Sequence, residues 1–281
     1  MSAARGWRIC GVDFTSRPRP RKPVTIASGR LRGAAFLLDA IESHDDWPGF
    51  EAWLRREGPW IAGFDFPFGL PRSAVLDLGW PATWEGLVRH CAAMGREAFR
   101  AALDGHRERR PAGNRYAHRA ADLPARSHSP LKLVNPPVAL MFLEGAIRLL
   151  EAGVCIPGLR EGDPQRLAFE AYPGYSARRL GAGSYKNDAV AKQTPTRRQA
   201  RAAMVRKLAS FDNPFGFALH APAALSRSLV ADATGDRLDA VLCAMQAAWA
   251  WRRRGKNYGL PGIIDPLEGW IVMVPETRSG K

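Results

Sequence analysis

Trp7-Arg8-Ile9-Cys10-Gly11-Val12-Asp13-Phe14-Thr15-Ser16 is the stretch whose reading decides the fold. An apolar, partly β-branched run of this length suits a buried central strand better than a helix. It ends on a carboxylate followed by hydroxyls and basic residues. A carboxylate at the exit of such a strand is costly to desolvate unless something compensates it, so Asp13 needs a cation. The rest of the chain then poses one question: do other acids end their elements at the same place?

Trp60-Ile61-Ala62-Gly63-Phe64-Asp65-Phe66-Pro67-Phe68-Gly69-Leu70-Pro71 repeats the pattern, with a buried run, an acid, and a Pro/Gly turn that stops the strand. Arg166-Leu167-Ala168-Phe169-Glu170-Ala171-Tyr172-Pro173 is a third short run carrying an acid, and its proline forces an exit from the sheet. Glu170 alternates with Phe169 and Ala171 and therefore points to the opposite face from them. Asp236 and Asp239 open a long helix running to about Arg253. Three residues apart, they share one helix face, and Ala240, Ala244, Ala247 and Ala248 permit close packing on a sheet.

Between these stretches, Lys22 to Leu31 and Gly33 to Glu42 read as a hairpin, so that three antiparallel strands open the fold. Phe50, Trp53 and Leu54 mark one side of a short helix that returns the chain parallel to the first strand. From Arg72 to Gly153 the reading is mostly helical, with amphipathic spacing in Trp84 to Leu103 and Val138 to Leu150. The Arg-, His-, Pro- and Ser-rich stretch from Gly105 to Pro137 is a long loop, either a substrate-contacting flap or a solvated insertion. Pro195 to Phe211 is a basic surface helix, and Gly262 to Glu276 has a hairpin-like pattern around Glu268-Gly269, followed by a frayed terminus.

Composition bounds the partners. Of 281 residues, 46% are hydrophobic and 24% charged, which suits one elaborated globular domain rather than a disordered chain. The 41 Lys and Arg against 27 Asp and Glu leave a net charge of +14, which favours a polyanionic partner such as nucleic acid or a phosphorylated metabolite. Cys10, Cys91, Cys155 and Cys243 are far apart in apolar or helical context, giving neither a zinc knuckle nor a disulfide framework, and reduced thiols in a cytoplasmic protein are expected. No signal peptide and no membrane span is expected. The six histidines lack metal-ligand spacing and read as surface or loop residues. Neither GxSxG nor GxxxxGK[ST] is present, and Gly181-Ala182-Gly183 is too short to cradle a phosphate. The aromatics around Trp47, Trp53, Trp60 and Phe64 to Phe68 read as core.

Five acids thus end elements beside apolar runs: Asp13, Asp65, Glu170, Asp236 and Asp239. Phosphodiester hydrolysis uses such a set, because hard divalent cations take oxygen ligands, activate water and stabilise the leaving oxygen. Taken singly the acids have ordinary alternatives: turn capping for Asp13, an Asx turn for Asp65, a helix-dipole partner for Asp236, and a buried Arg or a helix cap for Glu170.

Gly11-Val12-Asp13, Gly63-Phe64-Asp65-Phe66-Pro67-Phe68-Gly69-Leu70, Phe169-Glu170-Ala171-Tyr172-Pro173 and Asp236-Arg237-Leu238-Asp239-Ala240 together resemble the DUF429 family of predicted nucleases with a ribonuclease H-like fold. The resemblance implies an α/β domain spanning 1–281, built on a mixed five-stranded sheet flanked by helices, with a helical insertion at 72–160. It also implies metal-ligand positions at Asp13, Asp65 and Asp239, with Glu170 and Asp236 as further members of the site. The expected function is then Mg²⁺- or Mn²⁺-dependent cleavage of DNA or RNA. Lys186 is the candidate contact to the scissile phosphate, and Arg197, Arg198 and Arg201 are candidate contacts to the substrate backbone. A non-catalytic nucleic-acid-binding protein and a nucleotide-dependent phosphotransferase are the alternatives. The latter needs a glycine-rich turn after the first strand, and Phe14-Thr15-Ser16-Arg17 supplies none.

Overall fold

Arg8–Asp13 forms β1, which pairs antiparallel with β2 (Val24–Arg32), and β2 pairs antiparallel with β3 (Ala35–His44). Asp46 then caps α1 (Trp47–Leu54) by accepting from the Gly49 amide at 2.8 Å. Phe50, Trp53 and Leu54 form its buried side, and the helix returns the chain to β4 (Trp60–Phe64), parallel to β1. The computed structural model describes residues 6–276, so the opening residues and the charged terminus expected to fray lie outside it.

The next segment supplies α2 (Arg72–Asp77), α3 (Trp84–Glu108), the single turn α4 (Asp122–Ala125), α5 (Val138–Glu151) and the two-residue strand β5 (Val154–Cys155). There follow β6 (Asp163–Glu170), α6 (Pro173–Arg179), α7 (Pro195–Ala209), β7 (Ala218–His220), α8 (Ala223–Ala231) and α9 (Asp236–Arg252). The sheet order is β5-β6-β4-β1-β2-β3-β7, and β2 alone runs against the others. The sheet therefore has seven strands, not five. The expected five lie at its centre, and β5 and β7 extend its edges by runs too short to give a period-2 signal.

Helices cover both faces. On one, α1, α3 and α5 pack on Val12, Val24, Ile26, Phe64 and Phe66. Burying one such aromatic or aliphatic side chain is worth about 1.5–3 kcal/mol, and the aromatics from Trp53 to Phe68 are core, as their apolar context implied. On the other face α9 lies across β1, β2 and β4 with α6, α7 and α8 around it. It is buried on nearly every side, as a helix with apolar residues all round must be. Gly11 and Gly63, opposite one another in register, make room for it. A Cβ on Gly11 would fall 2.0 Å from the Ala244 amide nitrogen, and one on Gly63 would fall 2.5 Å from the Cys243 carbonyl oxygen. Glycine two residues before each strand-end Asp thus sets how closely α9 approaches.

Three local expectations need correction. The tail is not a hairpin: Ile271 makes a parallel bridge to Glu170, and Ile271, Val272, Met273 and Val274 are buried, so packing rather than cross-strand pairing fixes this segment. Helix α3 runs on to Glu108, and the loop after it is held to the sheet by a buried arginine, Arg119. His106 is buried in α3 with Nε2 3.3 Å from Asp77, not at the surface. The four cysteines are free, and no described helix is long and apolar enough to cross a membrane.

Candidate active site

Strand register brings the first two acids together. Val12 stands opposite Phe64 in the parallel β1–β4 pair, so Asp13 and Asp65, one residue further on, leave the sheet side by side. The Asp65 amide donates to the Val12 carbonyl at 2.9 Å, which ties the two exits together. Alternation sends both side chains toward the face of Gly11 and Gly63, where α9 lies. The chain leaves β1 toward β2 on one side, while β4 flanks it on the other. This reversal of strand order at the carboxyl ends is where open α/β sheets form their binding crevices. The first turn of α9 adds Asp236 and Asp239, whose three-residue spacing puts them on one face.

Two ammonium groups serve these four acids. Lys22, from the loop between β1 and β2, donates to Asp236 Oδ1 at 2.7 Å and to Asp188 Oδ1 at 3.3 Å. Lys186 pairs with Asp239 Oδ2, and the Tyr185 hydroxyl donates to Asp239 Oδ1 at 2.5 Å. Compensation is incomplete. Burial, and then the neighbouring Asp236 and Asp239, push the Asp13 carboxyl well above the ordinary carboxylate range. Burial pushes Asp65 up to about 7, with Asp239 and Glu170 adding to the rise and Lys186 and Lys22 opposing it. Burial also raises Asp236, partly offset by Lys22. Against their own burial, Lys186 and Lys22 are held protonated, Lys186 chiefly by Asp239 and Lys22 by Asp13 and Asp236.

Glu170 belongs to a different constellation. It stands opposite Phe64 in β6 and shares that residue's face, toward α3 and α5. There Arg119 grips it with both terminal nitrogens, at 2.7 and 2.6 Å, and the Phe68 amide donates to it at 2.9 Å. Arg119 also reaches Asp122 at 2.9 Å and the Glu268 carbonyl at 2.9 Å. The buried-Arg alternative is the one realised.

The basic helix divides. Arg198 is exposed and Arg197 half-buried, but Arg201 is buried: it donates to the Tyr185 carbonyl at 2.6 Å and to the Val230 carbonyl at 2.9 Å. Its expected role as a substrate contact gives way to bracing the segment that carries Tyr185 and Lys186. Sequence reasoning also passed over Lys22 and its neighbours Arg17, Arg19 and Arg21. The signal was available, because Arg17-Pro18-Arg19-Pro20-Arg21-Lys22 follows Phe14-Thr15-Ser16 after the strand ending at Asp13. Nothing local distinguished Arg119 from the other arginines of its loop.

A family model described as "Protein of unknown function (DUF429)" matches residues 11–263. The chain belongs to the DUF429 family. That span takes in all four motifs, from Gly11 to Asp239. No curated protein and no solved structure matches the chain.

The donors present suit a hard divalent cation, since they are all carboxylate oxygens and are short of positive charge. Their positions are not those of a finished cage. Among the described residues no three His, Cys, Asp or Glu side chains stand close enough to hold an ion as they are, and Lys186 occupies Asp239.

Proposed function

We propose that the protein is a divalent-metal-dependent nuclease of ribonuclease H-like architecture. The observation that carries this reading is the convergence of Asp13, Asp65, Asp236 and Asp239 from two adjacent strand ends and one helix start, with Lys22 and Lys186 the cations bonded to them among the described residues. The central strand order β3-β2-β1-β4-β6, with β2 alone reversed, supports the architectural part. The net charge of +14 supports a polyanionic substrate.

Asp13, Asp65 and Asp239 would hold Mg²⁺ or Mn²⁺, which when bound supplies Lewis-acid stabilisation of the phosphate oxygens and an acidified water. The chain's own groups do the rest. Tyr185 fixes the rotamer of Asp239, and Arg201 fixes Tyr185. Asp236, held by Lys22, would orient the attacking water and accept its proton. Lys186, paired with Asp239 here, would be the chain's cationic contact to the substrate phosphate. Glu170, the other candidate for orienting water, is engaged by Arg119 and takes no part.

The decisive measurement is cleavage of a mixed DNA and RNA panel with Mg²⁺ or Mn²⁺ by the wild type and Asp13→Asn. Wild-type cleavage that the variant loses, with its circular dichroism unchanged, is the expected result. A wild type that cleaves nothing on the panel ends the proposal. The lysine pairing of Asp239 favours one second reading, a nucleic-acid-binding protein whose acids only anchor Lys22 and Lys186. That reading predicts salt-sensitive binding with no uptake of divalent cation.

A further inference from the structure

Beside the acid cluster lies a cavity of about 380 Å³ that shares Asp65, Tyr185 and Lys186 with it. We propose that this cavity is a socket for one unstacked nucleobase, which makes the substrate single-stranded nucleic acid. The inference rests on the nuclease reading and adds the strandedness of its substrate.

Much of the socket's wall is apolar. Phe66, Pro67, Met141, Tyr172 and Pro173 line it together with Tyr185. Its size lies at the lower end of the range for small-ligand pockets, enough for a single group and too small for a stacked duplex end. Several independent interactions hold the aromatic wall in place. The Gln246 amide side chain, fully buried in α9, accepts from the Tyr172 amide at 2.9 Å and donates to the Tyr172 carbonyl at 2.8 Å. The Tyr172 ring folds over Gly174, where a Cβ would fall 2.8 Å from the ring, and Arg178 stands 5.4 Å from the ring centroid. Arg119 and Glu170 also line the cavity; the Arg119 N–H groups are all engaged within the protein, so the pair offers a base edge the acceptor capacity left on Glu170, and Ser127 and His128 line the cavity too.

A planar group with apolar faces and a polar edge matches such a slot, and a nucleobase is that group in a polyanion. Stacking one base on an aromatic side chain is worth about 1–3 kcal/mol, and enzymes that take a base out of its stack receive it in pockets of this kind. The shared wall fixes the geometry: a phosphate at Asp65 and Lys186 leaves its own base beside the opening. A base still paired in a duplex cannot enter, whereas a single strand need give up only its stacking.

The test uses full-length protein carrying Asp13→Asn, so that labelled oligonucleotides stay uncut in Mg²⁺. Their binding is followed by fluorescence anisotropy. The single strand should bind about tenfold tighter than either the same strand with abasic sites or its blunt duplex. Gly183→Trp should erase the difference. Gly183 lines the cavity, and a Cβ there meets nothing within 4 Å, so the added ring has room to fill the socket. Tyr172→Leu, which keeps the backbone hydrogen bonds to Gln246, should narrow the difference too.

Equal binding of the abasic strand and the single strand overturns the socket while leaving the nuclease reading intact. So does a preference for duplex, or a preference for the single strand that survives both variants. A nucleoside monophosphate that competes as well as the strand replaces single-stranded nucleic acid with a free nucleotide and overturns the proposal. Failure of every oligonucleotide to bind at low salt removes the nuclease reading itself.

Discussion

The acids on the two faces of the sheet are partnered unequally, although burial raises Glu170 as it raises Asp13 and Asp65. Toward α3 and α5, Glu170 and Asp122 share one guanidinium, a backbone amide completes Glu170, and each group has a partner within 2.9 Å. Toward α9, four carboxyls share two ammonium groups, and Asp13 and Asp65 are raised because burial and like charge outweigh what Lys22 and Lys186 supply. Both sites come from the same local pattern, an apolar strand that ends on an acid. What separates them is the parity of the acid along its strand. Asp13 and Asp65 follow Gly11 and Gly63 onto the α9 face, while Glu170 follows Ala168 onto the other, where Arg119 waits. An acid whose charge is balanced within the fold holds the fold together. An acid left short of charge is available to a ligand.

The largest effect should come from breaking the balanced side. Arg119→Met leaves Glu170 and Asp122 buried without their cation, and removing one partner of a buried pair costs about 3–5 kcal/mol. Urea unfolding should show that loss, unaltered by Mg²⁺ or Mn²⁺. A cost below about 1 kcal/mol would mean that the buried network is not what fixes the loop after α3.

Changing the unbalanced side should do the reverse. In chelator, Asp13→Asn removes one of the mutually repelling acids, so its melting midpoint should equal or exceed that of the wild type. Added Mg²⁺ or Mn²⁺ should raise the wild-type midpoint more than the variant's, since a ligand bound only by the folded state stabilises by mass action. Equal midpoints with and without metal in both proteins would reduce Asp13 to a turn residue.

Much of this contrast was legible in the sequence, and its limits are physical. Asp13, Asp65, Asp236 and Asp239 could be found because each ends an apolar run or opens a helix, and such edges are visible one element at a time. The glycines two positions before Asp13 and Asp65 carry the same information from the packing side, because α9 can approach only where a Cβ is missing. Glu170 was found by the same rule, but its parity relative to Asp65 depends on the register of β4 against β6, which no single stretch encodes. Arg119 is 51 residues from Glu170 and Lys22 is 214 from Asp236, and each lies in an arginine-rich loop. Only the folded chain selects one cation from each. Arg201 looked like its neighbours in α7 and differs from them only in facing inward, onto the carbonyls of Tyr185 and Val230.

A smaller effect should appear in pH. The Asp65 carboxyl titrates at about 7 in the folded chain and near 3.9, the ordinary Asp value, in the unfolded one. Between those values the folded state keeps a proton that the unfolded state has released, so stability falls as pH rises through this window and levels off above it. Asp13, raised in the same direction, adds to the fall. Asp65→Asn should flatten the curve of melting midpoint against pH between about 4 and 7 in chelator. A fall of undiminished size in the variant would show that Asp65 is better compensated than its surroundings imply.

The smallest effect sharpens the comparison at the surface, where two basic segments are candidates to follow the substrate backbone. Arg17, Arg19 and Arg21 are exposed in the loop whose Lys22 is bonded to Asp236, so phosphates held there lie directly beside the acid cluster. In α7, Arg197 is already occupied by the Ser184 hydroxyl at 3.0 Å and by the Lys192 carbonyl. Each phosphate neutralised by a lysine or arginine releases counterions, so removing one such cation should lower the slope of log affinity against log salt by about 1. Replacing Arg17, Arg19 and Arg21 with alanine should therefore flatten the slope more than replacing Arg197 and Arg198, and should weaken binding to every sequence alike, because backbone contacts carry no base information. If only the α7 substitutions flatten it, the strand runs along the far side of α9, and the loop that carries Lys22 serves the acids alone.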